Sequence, residues 1–108
     1  MKKVLPIRVP VYIETVLISG QKSFAGMIGN LSGDGAFVET IPTKTVTPFI
    51  PGKTIDLQFR TSPKNTMNLS CRVIWLYTKK DEYGGFINSM GLKIIAPPES
   101  YRKYLKSL

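Results

Sequence analysis

Six antiparallel strands closing into a small all-β barrel, followed by one C-terminal helix, is the fold that this sequence predicts. Three observations carry the expectation. The run Lys53 to Arg60 alternates cleanly, with Ile55, Leu57 and Phe59 set against Asp56, Gln58 and Arg60. The run Met67 to Tyr77 alternates again, placing Met67, Leu69, Cys71, Val73, Trp75 and Tyr77 on one face. After Pro97-Pro98 the period changes: Tyr101, Tyr104, Leu105 and Leu108 recur at helical spacing. Period two marks a half-buried strand, and a 3.6-residue period marks an amphipathic helix. Closure into a barrel removes the exposed edges that an open sheet of this size would carry.

The remaining elements follow in order. Val9 to Ile18 is β-branched and extended in character, with Val9, Val11 and Ile13 on one side. Ser19-Gly20-Gln21-Lys22 turns the chain into Ser23 to Gly29, where Phe24 and Ile28 are expected to face inward. Ala36 to Thr40 is a short third strand. Ile41 to Gly52 carries Pro42, Pro48 and Pro51, which predicts a surface excursion. Thr61 to Thr66 is expected to turn. The second half of Met67 to Tyr77 is apolar on both faces through Ile74 and Leu76, which predicts deeper burial there. Lys79 to Gly85 is expected to form a polar hairpin loop, and Phe86 to Ile95 the last strand. Ser100 is placed to cap the helix, which is expected over Ser100 to Lys106 with Arg102, Lys103 and Lys106 on its solvated face.

Composition narrows the function. With 108 residues the chain supports one modest core, and the organisation expected is a basic arm over 1–8 and a single domain over 9–108. No apolar run approaches the roughly 20 residues that span a bilayer. Pro6, Arg8 and Pro10 interrupt any secretory apolar stretch, and the single Cys71 forms no internal disulfide, so a reducing cytoplasm is the expected compartment. Cys71 sits in an alternating apolar run and reads as a buried thiol. There is no His, and the seven carboxylates are scattered, so neither an enzyme, a metal site nor a cofactor is expected. A net charge of +8, from 15 Lys and Arg against 7 Asp and Glu, points to an anionic partner.

Asn30-Leu31-Ser32-Gly33-Asp34-Gly35 is the segment richest in functional chemistry. Asn30 and Ser32 offer compact hydrogen-bonding groups, while Gly33 and Gly35 permit positive φ or a close approach of another group. An ordinary tight connection between strands accounts for the same residues. The spacing Asn-x-Ser-x-x-Gly resembles the signature of PilZ domains, receptors for cyclic di-GMP. Cys71-Arg72-Val73-Ile74-Trp75 is similar to that family's fifth-strand pattern of a basic residue, two aliphatics and Trp. Met90-Gly91-Leu92-Lys93-Ile94 resembles its closing strand. The likeness spans roughly Ile7 to Leu105.

The resemblance implies a cyclic di-GMP site built from two elements. One is the segment carrying Asn30, Ser32, Gly33 and Gly35. The other is an N-terminal Arg-x-x-x-Arg, of which Arg8 matches the second arginine. Val4 stands where the first would be, and Lys3 beside it supplies charge without the bidentate guanidinium fork. Three readings therefore stand. The chain is a non-enzymatic cyclic di-GMP receptor, or a PilZ-type adaptor acting on an unidentified downstream protein in motility or pilus assembly, or a small basic barrel for single-stranded nucleic acid. The last needs exposed aromatics, yet Phe24, Phe37, Phe59, Trp75 and Phe86 mostly fall on expected inward faces, which leaves Tyr12, Tyr77 and Tyr83.

Overall fold

A computed structural model describes residues 8–45 and 47–108. Six strands and one helix follow in the order β1 (Val9–Ser19), β2 (Lys22–Leu31), β3 (Gly35–Thr40), β4 (Thr54–Ser62), β5 (Asn65–Lys80), β6 (Phe86–Ile94) and α1 (Glu99–Lys106). All pairings are antiparallel, and the sheet closes on itself in the order β1-β2-β3-β6-β5-β4. The expected six-stranded barrel with a C-terminal helix is the fold observed.

Alternation builds the interior. Leu17, Ile28, Val38, Leu57, Leu69, Val73, Met90 and Leu92 are buried side chains from successive strands, and their outward neighbours are exposed or half-buried. Each such side chain contributes about 1.5–3 kcal/mol by leaving water. The β1–β2 turn is held by Gly20, whose φ of 63° lies in the left-handed region. Inside the barrel, the buried Asn88 backbone N–H donates to Thr40 Oγ1 at 3.0 Å, satisfying a polar group that would otherwise be costly.

Helix α1 plugs the barrel through Tyr101, which is fully buried, while Tyr104 rests on Phe59 with ring centroids 5.8 Å apart. Arg102, Lys103 and Lys106 are exposed, as the spacing predicts. Ser100 does not cap. Pro98 occupies the N-cap without a side-chain hydrogen bond, and the Ser100 hydroxyl lies 3.9 Å from Met67 Sδ.

Several expectations about exposure and boundaries are corrected. The described residues of 41–52 form no strand, but the segment is more than a surface excursion. Phe49 is only 1% exposed and meets Phe24 edge-on at 5.1 Å, anchoring the loop in the core. Thr61 to Thr66 is nearly all strand, with only Pro63 and Lys64 in the turn. Likewise β5 runs on through Lys79 and Lys80.

The largest correction concerns the far half of β5. A register shift between Val73 and Trp75 inserts Ile74 as an extra residue and reverses the alternation. Trp75 and Tyr77 therefore point outward, 45% and 61% exposed, and Ile74 is exposed as well. The deeper burial expected there does not occur; Leu76 is the residue turned toward the core.

Candidate functional site

The outer face of β2, β3, β6 and β5 brings together residues that are distant in sequence. Asn30 pairs with Phe37, Phe37 with Gly91, and Gly91 with Trp75, so one row crosses four strands. Two glycines make that row flat. A Cβ at Gly91 would run into the Trp75 indole, with Cδ1 and Cε2 both at 2.6 Å. A Cβ at Gly29 would stand 2.9 Å from the Phe37 ring. Each aromatic ring thus lies over a glycine, and the two rings tilt by 31° with centroids 5.9 Å apart. Close seating of this kind is what Gly in a strand provides.

Arg8 closes one end of the row. Its Nη1 donates to Asn30 Oδ1 at 3.1 Å, and it lines a cleft of about 230 Å³ together with Asn30, Phe37, Ile74, Trp75 and Gly91. The guanidinium is exposed, so most of its donors remain available to an anion. The two elements expected from sequence therefore meet: the arginine of the N-terminal segment touches the asparagine of the glycine-rich segment. Lys3 and Val4 lie outside the described residues.

Ser32 behaves differently from its neighbour Asn30. It is 3% exposed, its N–H donates to the Gly35 carbonyl at 2.9 Å, and its hydroxyl reaches the same carbonyl at 3.4 Å. The Tyr101 hydroxyl of α1 donates to the Ser32 carbonyl at 2.5 Å. Burial, followed by the neighbouring Cys71 and Asp34, pushes the Tyr101 phenol above its ordinary range, so it stays a donor. Ser32 thus ties the turn to the helix. Neither motif glycine adopts positive φ; that region holds Gly20, Gly52 and Gly84 among the glycines. Gly35 instead satisfies the close-approach reading, since a Cβ there would meet Ser32 Oγ at 3.2 Å and the Leu92 carbonyl oxygen at 3.4 Å. Gly33 has open space around it.

Three residues of this face and its support are not marked by the sequence pattern. A two-residue period puts Phe37 and Trp75 inside, and the helical period shows Tyr101 only as an apolar residue of its stripe. The signal for Trp75 was present in Gly91, a glycine interrupting an alternating strand, which marks a close approach by another group. Cys71 is fully buried, and burial, followed by the charge of Asp56, pushes its thiol up to about 12, which leaves it unreactive. Among the described residues no group of His, Cys, Asp and Glu could hold a metal ion, and no helix is long and apolar enough to cross a membrane.

The PilZ domain family model matches residues 6–108. The chain belongs to the PilZ family. Among solved structures it is similar to the PilZ domain with c-di-GMP of YcgR from Escherichia coli, with TM-score 0.72 and 10% identity over 96% of this chain and 87% of that one. It is also similar to the Bacillus subtilis inhibitor of motility MotI/DgrA, with TM-score 0.64 and 12% identity over 91% of this chain. MrkH of K. pneumonia in its apo state matches with TM-score 0.67 and 7% identity over 94% of this chain. The chain spans 44% of the MotI/DgrA chain and 47% of the MrkH chain. No curated protein matches it in sequence.

Proposed function

We propose that this PilZ domain is a non-enzymatic receptor for cyclic di-GMP, seated across Arg8, Asn30, Phe37 and Trp75. The observation that carries the reading is the Arg8–Asn30 hydrogen bond at the margin of the Phe37–Trp75 shelf. Purine bases stack on flat aromatic faces, worth about 1–3 kcal/mol per base. Arg presents a planar fork to phosphate oxygens or to the guanine O6/N7 edge. Asn30 adds an amide whose donors and acceptor can meet either. Ser32, Gly33 and Gly35 then act by fixing the turn that presents Asn30. The likeness to the c-di-GMP-bound YcgR domain adds support at the level of fold. We place the protein in the cytoplasm, acting without a cofactor on a downstream protein.

The outward turn of Ile74, Trp75 and Tyr77 supports the second reading, a protein-docking adaptor using the same face. Calorimetric titration of the protein with cyclic di-GMP separates the two. Saturable binding that weakens with salt is expected of the receptor, because exposed phosphate contacts are screened. An absence of heat into the millimolar range rejects the receptor and favours the adaptor.

A further inference from the structure

We propose that Arg72 and Lys93 form a second anion-binding point beside the aromatic shelf, holding the phosphodiester of cyclic di-GMP that lies away from Arg8. The proposal rests on the receptor reading above. Lys93 of β6 is the cross-strand partner of both Gly35 on β3 and Arg72 on β5. These three residues make a row directly beside the Phe37, Gly91 and Trp75 row. The step between such rows is about 7 Å along a strand, and neighbouring strands lie about 4.8 Å apart. A cation pair therefore sits within reach of anything stacked on Trp75.

The pairing is unfavourable without an anion. Like charges directly opposite on neighbouring strands repel. Neither residue has an acidic cross-strand partner: Arg72 faces Thr54 and Lys93, and Lys93 faces Gly35 and Arg72. Asp56 of the adjacent β4 is approached by the Ser70 hydroxyl, whose Oγ lies 3.5 Å from Asp56 Oδ1. Both Arg72 and Lys93 are exposed, so their charged ends are free to meet a ligand. Cyclic di-GMP carries two phosphodiesters, whereas among the described residues Arg8 is the single basic side chain lining the cleft at the Asn30 end. The sequence has Val4 where a second arm arginine would stand, so a second guanidinium fork has to come from elsewhere. Arg72 supplies it from the sheet itself, with Lys93 adding charge.

The test is calorimetry on the Arg72→Gln/Lys93→Gln double variant with cyclic di-GMP and, separately, with GMP, which has one phosphate to hold at Arg8. The variant is expected to lose about tenfold or more in affinity for cyclic di-GMP, with a shallower salt dependence, while its affinity for GMP changes less than about twofold. Its unliganded melting temperature is expected to stay level or rise as the repulsion is relieved. Undiminished cyclic di-GMP binding by the variant overturns the proposal and leaves the receptor reading standing. An equal loss for both nucleotides also overturns it, because that reports overall charge and not a second phosphate. If the wild type binds no cyclic di-GMP, the receptor reading fails and this proposal falls with it.

Discussion

Two clefts on this barrel differ in size and in how their polar groups are arranged. The larger, about 790 Å³, lies along β1, β2 and β4, where Tyr12, Val16, Met27 and Phe59 are joined by the acidic Glu14, by Gln58 and by Arg60, whose Nη1 donates to the Pro63 carbonyl at 3.0 Å. It forms where the β1–β4 pairing stops at Thr15 and Phe59 and the strands diverge. The smaller, about 230 Å³, lies on the β2-β3-β6-β5 face and holds Arg8, Asn30, Phe37 and Trp75. Volume favours the first, but convergent groups favour the second. There an exposed guanidinium, an amide and two rings over glycines face one space. The larger groove results from strand divergence at a seam. A binding site is recognised by what its lining can do, and on that ground the proposed ligand site is the smaller cleft.

The comparison breaks most visibly at Gly91. Gly91→Val removes the seat of the Trp75 indole, and cyclic di-GMP binding is expected to fall at least a hundredfold by calorimetry. Loss of an aromatic platform worth about 1–3 kcal/mol is there compounded by a blocked cleft. Arg8→Ala comes next. Removing a hydrogen bond to a charged group costs about 1.5–3 kcal/mol, or roughly tenfold to a hundredfold in affinity. Tyr101→Phe leaves the Ser32 carbonyl without its partner and is expected to destabilise the fold by about 1–3 kcal/mol in urea unfolding, with a smaller loss of affinity through a looser turn. Val16→Ser in the larger groove is expected to leave affinity within twofold and stability within about 0.5 kcal/mol, as for most surface changes. A strong effect of Val16→Ser on nucleotide binding would exchange the roles of the two clefts.

Alkaline pH should weaken the whole barrel. The folded Cys71 thiol titrates near 12 against an ordinary value of 9.0, so its protonated form is favoured by folding. That contribution is complete below about pH 9 and is lost as pH rises toward 12. Tyr101, also raised, acts in the same direction. Thermal melts at pH 7, 9 and 11 are expected to decline over the upper interval.

Legibility in the sequence followed the regularity of the backbone. Ile55, Leu57 and Phe59, and Met67 through Val73, sit where a two-residue period puts them, because no residue interrupts the pairing there. Trp75 and Tyr77 were misplaced because one inserted residue, Ile74, flips every side chain after it, and a bulge leaves no trace in a hydrophobic pattern. Phe37 was misplaced because Ala36, Phe37 and Val38 are all apolar; the smaller two take the interior and the ring goes out. Phe49 was hidden by three prolines that mark a loop without saying which residue anchors it. For the candidate site, motif spacing singles out Arg8 and Asn30, and the structure brings these two side chains into hydrogen-bond contact. The inward turn of Ser32 depends on a tyrosine 69 positions away, which no local pattern encodes.

Trp75 is the only tryptophan in the chain, so its fluorescence reports on the shelf alone. Following that emission while titrating cyclic di-GMP into wild-type protein and into Arg8→Ala tests the central claim most directly. The account predicts a saturable change in wild-type emission, with the midpoint moved at least about tenfold higher in Arg8→Ala. Calorimetric binding that leaves the Trp75 emission unchanged would put the nucleotide elsewhere on the barrel and contradict it.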